Sequence, residues 1–492
     1  MNLAHPIIVT YLGIVRKPLA VLLASLMAVS SGAASPLPDL GESSRQYLTE
    51  KQEKEIARAI MRDIYANPQF LADPEVEAYL NELGARLAAE SSASGRTFTF
   101  FGVRDSSINA FALPGGFIGV HTGLILAANS ESELAGVLAH EVAHVSQEHL
   151  SRMIAQQDQS YLPTLAALAV AVLAARSNAS VGSAAIAATQ ALSIQNQLDF
   201  TRENESEADR VGFEILNQAG FDPRGMPGFF STLQRKNRLF DNNAPAYLRT
   251  HPLNTQRIAD MEDRVQRLPF KQVGDSRDFH FVRARLVAME GTADEAVRRF
   301  QDQIREKKTR SLEASQYGLA LAYARQNKFV EAEKELMAAF KSGESPLLIN
   351  LRAELKTRQG NPKQAMELYR AGIARYPQYK PLIYGYALAL ILSGQNQAAQ
   401  DMISSKIGLW PDDASLWKLQ ARAQAALGHK LASHYAEAQA MAVRGNLPAA
   451  LEQINLGLKA GDGNFYELSA AESRRREWEK LLNEESGKAI KK

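Results

Sequence analysis

The 492-residue chain contains no cysteine. Disulfide staples and a cysteine-linked lipid anchor are therefore excluded, and cysteine avoidance suits an oxidising compartment in which stray thiols mispair. Charge of one sign is also lacking: 56 Lys and Arg face 54 Asp and Glu, a formal net charge of +2. With no basic stripe interleaved with aromatics, nucleic-acid binding is discarded. Long apolar runs are missing too. The purest, Leu19 to Val29 and Leu165 to Ala175, fall short of the roughly 20 residues that span a bilayer. What remains is 46% apolar and 22% charged, the balance of a globular protein. The length calls for two folded units and a processed leader.

The leader is read at residues 1–34. Arg16 and Lys17 flank the apolar run Leu19 to Val29, and the small residues Ser30 to Ala34 precede Ser35-Pro36. This is a signal-peptide pattern with cleavage near Ala34; an uncleaved anchor helix is the alternative. A soluble periplasmic protein of a Gram-negative bacterium is the expectation.

Beyond it, Glu50 to about Glu90 reads as helix, with Ile56, Ile60 and Ile64 at helical spacing. Phe98 to Val103 is β-like, and Ser107 to His121 reads as two strands around the turn Pro114-Gly115-Gly116. A helix starts at Ser130, where Ser130 and Glu133 have capping-box spacing. Tyr161 to Ile194 is rich in Ala, Ser, Leu and Val with almost no charge. It suits a buried helical hairpin, or a lid or membrane-contacting flap. Another helix runs from near Arg202 to before Gly220. From about Asp278 helix pairs recur: Gly360, Gly394 and Gly428 are spaced by 34, as are Pro377 and Pro411. That period with helix–turn–helix texture resembles tetratricopeptide repeats, solenoids that bind peptides or partner proteins in a concave groove.

The chemistry is carried by His140-Glu141-Val142-Ala143-His144. Residues four apart on a helix project at nearly the same angle, so both imidazoles can meet one zinc ion. Glu141 stands beside the metal, placed to take a proton from water. A zinc site needs a further protein donor. Helical phase selects it: Glu203, Glu207, Arg210 and Glu214 form a charged stripe, whereas Glu205, Ala208, Gly212 and Ile215 face the core. Glu205 is thus the third ligand. Asp209, one turn on, can accept a hydrogen bond from a ligand imidazole. His251, before Pro252, could ligate zinc in a resting state or stabilise an oxyanion, and Arg257 could do the latter. His149 points off the ligand face and reads as a surface residue; His121 is a weak candidate for the cleft wall.

HEVAH at 140–144, the ExxxD at 205–209, the stretch Asn109 to Gly116, and a His-Pro loop followed six residues later by Arg257 resemble the gluzincin metalloproteases related to the CAAX prenyl protease and a heat-shock membrane protease. Those relatives span the membrane many times; this chain lacks their helices. The resemblance implies an α+β zincin protease domain, mostly helical with a small sheet, over residues 35–272, followed by an all-α tetratricopeptide-repeat solenoid over 273–492. It implies one Zn2+ per chain on His140, His144 and Glu205, with Glu141 as acid/base, Asp209 as proton donor or orienting group, and His251 as a fourth ligand that must leave. It further implies that Asn109 to Leu113 pairs with an extended substrate. A leader, a soluble protease and a repeat array point within that group to outer-membrane quality control. The implied substrates are unfolded or stalled outer-membrane β-barrel proteins. The implied partners of the repeats are the barrel-assembly machinery and the lipopolysaccharide-export translocon, with peripheral membrane contact and no nucleic acid. An assembly chaperone with a largely latent protease site is the second reading.

Overall fold

The computed structural model describes residues 50–156, 202–239 and 246–490. The leader at 1–34 and the Ala-rich stretch Tyr161 to Ile194 lie outside the described residues.

The helical stretch expected from Glu50 to Glu90 is two helices, α1 (Glu50–Ala66) and α2 (Pro74–Ala89). Pro68 disfavours helix at Asn67, Phe70 forms a β-bridge with Val103, and the chain restarts at Asp73. Its carboxylate accepts the Glu75 and Val76 amides, and Pro74 occupies the first turn, where no amide is missed.

Three strands follow: β1 (Thr99–Val103), β2 (Ala110–Leu113) and β3 (Phe117–His121). Their order is β1-β3-β2, with β3 parallel to β1 and antiparallel to β2. The turn between β2 and β3 requires left-handed backbone at Gly115 (φ 77°) and Gly116 (φ 80°), and a Cβ on Gly116 would lie 2.4 Å from the Thr97 carbonyl. This tight return leaves β2 at an edge of the sheet.

After α3 (Thr122–Ala127) comes α4 (Glu131–Ser146), in which every residue from Glu131 to Val145 is buried. Ser130 caps it by accepting the Glu133 amide; the Glu133 carboxylate reaches back to the Asn129 amide, one residue beyond the capping-box partner. A helix buried all round belongs at the centre of a core, and α4 is flanked by α5 (His149–Gln156), α6 (Arg202–Gln218) and α7 (Gly225–Leu239). Contact with α6 is tight at Gly212, where a Cβ would sit 3.0 Å from His140 backbone atoms. The short α8 (Ala246–Thr250) and then α9 (Thr255–Gln266) complete this part.

From α10 (Arg277–Met289) onward the described residues are helical: α11 (Ala293–Arg305), α12 (Leu312–Arg325), α13 (Phe329–Ala339), α14 (Pro346–Arg358), α15 (Pro362–Arg375), α16 (Lys380–Leu392), α17 (Asn396–Leu409), α18 (Ala414–Leu427), α19 (Lys430–Val443), α20 (Leu447–Leu458) and α21 (Phe465–Ile490). Successive helices pack as antiparallel pairs, and the 34-residue period falls on the turns α14–α15, α16–α17 and α18–α19 at Gly360, Gly394 and Gly428. Among the described residues, no helix is long and apolar enough to cross a membrane.

The array is not appended at a distance. Leu80 and Leu87 of α2 share one core with Phe279, Phe281 and Leu348 of the repeats. Glu75, fully buried, accepts hydrogen bonds from Tyr317 (3.0 Å) and Asn350 (2.7 Å) and pairs with Arg285. Glu131, at the start of α4, accepts from the Ser276 amide and hydroxyl at 2.8 and 2.7 Å. Further along, the Arg444 guanidinium lies over the Tyr65 ring of α1 at 5.5 Å. One consequence is measurable. Arg285→Ala leaves Glu75 without its cation, and an unpaired buried charge typically costs about 3–5 kcal/mol. Urea unfolding at neutral pH should register a loss of that order; a change below about 1 kcal/mol would show the seam to be unimportant for stability.

Candidate metal centre

The site is assembled where α4 and α6 cross. His140 and His144 are one turn apart on α4 and both buried. Glu205 of α6 is buried opposite them, and Gly212 permits the approach that brings it there. His251, just after α8, closes the fourth side; its ring stacks on Tyr247 with centroids 4.6 Å apart. His140, His144, Glu205 and His251 each offer one donor atom, all within 4.8 Å of one another. His251 is therefore not a loop histidine facing solvent, since only 2% of it is exposed.

The donor separations test the fit to a metal. His140 Nε2 lies 3.0 Å from His144 Nε2 and 3.4 Å from His251 Nδ1. Glu205 oxygens lie 3.3 Å from His144 Nε2, 3.5 Å from His140 Nε2 and 2.9 Å from His251 Nδ1. Donors about 2.0–2.1 Å from a tetrahedral zinc stand about 3.3 Å apart. Imidazole and carboxylate are donors zinc accepts. The residues fit the ion.

Charges around the set are fixed by buried pairs. Arg257 donates from Nε and Nη2 to Asp209 at 2.6 and 2.8 Å, and its Nη1 reaches the Pro252 carbonyl at 2.7 Å and Glu205 at 2.8 Å. All three of its nitrogens thus hold protein groups. Asp209 Oδ1 lies 3.1 Å from His140 Nδ1. Burial disfavours a charged His140, but hydrogen bonds to Asp209 and Glu205 outweigh it and lift the ring to about 9 in the metal-free chain. Burial drives His144 well below the usual histidine range, which favours a neutral ring. Glu205 is pushed up by burial yet held well below the usual carboxylate range by the three histidines. Burial raises Glu141, which makes it a stronger base. Its oxygens are buried without a partner of good hydrogen-bond geometry; His251 Nε2 stands 3.5 Å from one, and the Ala112 amide of β2 interacts with the carboxylate. A shallow cleft beside His144 is walled by Ala112, Leu113 and Pro114 on one side and by Glu148, Leu150 and Ser151 on the other.

His149 is the clearest departure from the sequence reading. It is fully buried, with Nδ1 2.9 Å from His144 Nδ1 and Nε2 3.0 Å from Glu207. Glu207 leaves the solvated stripe to make this contact and an ion pair with Arg152 at 2.7 Å. Tyr247 was also missed; the aromatic one helical turn before His251 is its only sequence signal. His121 is buried beneath the strand, with Nδ1 2.9 Å from the Ser107 hydroxyl and its ring edge-on to Phe111.

A glutamate held beside such a donor set, under the edge of a strand, is the arrangement that peptide-bond hydrolysis requires, and the chain is accordingly a zinc metallopeptidase. Residues 74–265 match Peptidase family M48, and residues 357–423 match a tetratricopeptide repeat. The β-barrel assembly-enhancing protease of Escherichia coli K12 is 32% identical over 86% of this chain and 87% of its own length. A Vibrio cholerae relative, provisionally so named, is 35% identical over 87% of this chain and 89% of its own. The mitochondrial metalloendopeptidase OMA1 of Schizosaccharomyces pombe is 31% identical over 38% of this chain and 52% of its own length. The chain belongs to the family of β-barrel assembly-enhancing proteases. His140→Ala and Glu205→Ala each delete a donor from the cluster, so metal analysis of the purified variants should find bound metal lost; full retention in both would disprove the ligand assignment.

Proposed function

We propose that this protein is a periplasmic zinc endopeptidase, exported by a signal peptide at 1–34, with one Zn2+ per chain. In this reading it assists outer-membrane β-barrel assembly and degrades barrels that stall. The carrying observation is the buried donor cluster of His140, His144, Glu205 and His251 with the Glu141 carboxylate beside it and edge strand β2 packed against α4. An extended substrate paired along Asn109 to Leu113 would run its scissile bond past that carboxylate. Glu141 takes the proton of the attacking water and hands it to the departing amine nitrogen. His140, His144 and Glu205 hold the zinc, which when bound supplies Lewis-acid polarisation of the scissile carbonyl. Asp209 orients His140, and Arg257 keeps Asp209 and Glu205 ionised and in place. Oxyanion stabilisation falls to His251 or to Tyr247, since the nitrogens of Arg257 are engaged. The assembly role rests on the names of the full-length relatives and on the repeats, whose chemistry is protein–protein contact. The barrel-assembly machinery and the lipopolysaccharide-export translocon are the proposed partners, with chaperone-like holding as the second activity.

Two experiments test the chemistry. Glu141→Gln keeps the shape of the carboxylate but cannot accept the proton, so turnover of an unfolded barrel substrate should fall at least about 100-fold with metal retained. Wild-type cleavage would end the mechanism. The second concerns His251, whose Nδ1 completes a four-donor set of the closed, structural type and whose Nε2 approaches Glu141. As a resting-state ligand it restrains the enzyme, and His251→Ala should raise cleavage of non-cognate substrates at equal zinc content. An oxyanion role predicts the opposite sign, a loss of about 100- to 1,000-fold.

A further inference from the structure

We propose that His149 is a positioning residue for the zinc ligand His144, linking that imidazole to the Glu207–Arg152 ion pair. The inference rests on the metal-site reading above.

His149 follows Glu148, whose φ of 53° is left-handed. On an unbroken helix a residue five places on would point about 140° away from His144. The reversal at Glu148 instead swings the His149 ring back beneath α4, edge-on to His144 with centroids 4.8 Å apart. There it is 0% exposed.

The contacts admit one order of protons. His144 Nε2 faces His140 Nε2 at 3.0 Å and Glu205 at 3.3 Å, so it is the ligating atom and must be bare. The neutral ring then carries its proton on Nδ1. That N–H donates to His149 Nδ1 at 2.9 Å, which therefore accepts. The His149 proton lies on Nε2 and donates to Glu207 at 3.0 Å, and Arg152 donates to the same oxygen at 2.7 Å. A reversed order would put a proton on the ligating nitrogen, where the metal belongs.

The arm on His144 mirrors the one on His140. There Asp209 reaches Nδ1 directly, and Arg257 grips Asp209. Each of the two ligand imidazoles on α4 thus ends on a carboxylate–arginine pair, one directly and one through an interposed ring. Helix α6 supplies Glu205 as ligand and both backing carboxylates, at alternate positions 205, 207 and 209. An acceptor behind a ligand histidine fixes its tautomer and ring angle and raises its basicity, and its loss commonly weakens metal binding about 10- to 100-fold.

The test uses the purified full-length chain, zinc affinity by competition with a chromophoric chelator, and the visible spectrum of the cobalt-substituted protein. His149→Phe keeps a buried ring but removes the acceptor. It should weaken zinc about 10- to 100-fold and shift the cobalt bands, with circular dichroism unchanged. His149→Asn places an oxygen near the former Nδ1 and should recover most of that loss. Glu207→Gln should give an intermediate loss. If His149→Phe misfolds, the comparison of His149→Asn with Glu207→Gln carries the test, since Asn keeps the acceptor and severs the link to Glu207. Parent-like affinity and spectrum in the folded Phe variant, or in both of the other two if it misfolds, overturn the proposal. A parent chain that binds no zinc overturns the metal-site reading itself and the relay with it.

Discussion

Everything in this protein depends on how closely α6 lies against α4. Gly212 lies at that contact, where a Cβ would stand 3.0 Å from the His140 backbone, so a larger residue would require the helices to give by a few tenths of an ångström. That proximity lets Glu205 reach two histidines on the neighbouring helix, and lets Asp209 reach the back of one of them. Two carboxylates so near one another in a buried setting would repel and resist ionising. Arg257 resolves this by touching both, and it also draws the Pro252 carbonyl inward, which fixes the start of the segment after His251. One guanidinium thereby positions a ligand, an orienting carboxylate and the loop that presents the fourth donor.

The placement of β2 is the second constraint. A Pro-Gly-Gly turn forces β3 to fold back beside β2, so β2 becomes an edge and its Ala112 amide faces Glu141. Edge strands are exposed templates for pairing with another chain. Here that liability lies beside the metal centre, where a captured strand is what a peptidase requires. The repeats are built onto the protease part through α2 and α1. Glu75 alone engages α10, α12 and α14, so the first helix pairs of the array are held by the protease part itself.

Much of this was legible in residues. The strands, the turn, the Ser130 cap and the 34-residue period each have a local cause that sequence displays: alternation, Gly with Pro, a hydroxyl before an apolar helix, recurring glycines. HEVAH fixes two donors because helical geometry is rigid, and phase alone singled out Glu205. What failed did so where geometry is not periodic. The helical stretch expected from Glu50 to about Glu90 is divided because Pro68 and Asp73 together stop one helix and cap the next, a boundary that apolar spacing does not register. His149 was misplaced because extrapolating α4 assumed an unbroken helix, and a single left-handed residue at Glu148 inverts its direction. Nothing in Glu148 itself announces that conformation. The charged stripe on α6 misled in the same way: Glu207 belongs to it by phase, but a partner on another segment redefines its role.

The two histidine arms explain why α6 alternates acid residues at 205, 207 and 209. On a helix, residues two apart diverge by about 160°, while those four apart nearly coincide. Glu205 and Asp209 therefore share one face and divide His140 between them, one at each nitrogen. Glu207 faces away from both and can serve His144 only through an intermediary long enough to span the gap, which is what an interposed imidazole provides. A longer side chain could span it too, but an imidazole is rigid and offers an acceptor and a donor at opposite corners. It therefore transmits orientation from Glu207 to His144 without adding a charge beside a ligand ring that must keep its metal-facing nitrogen bare.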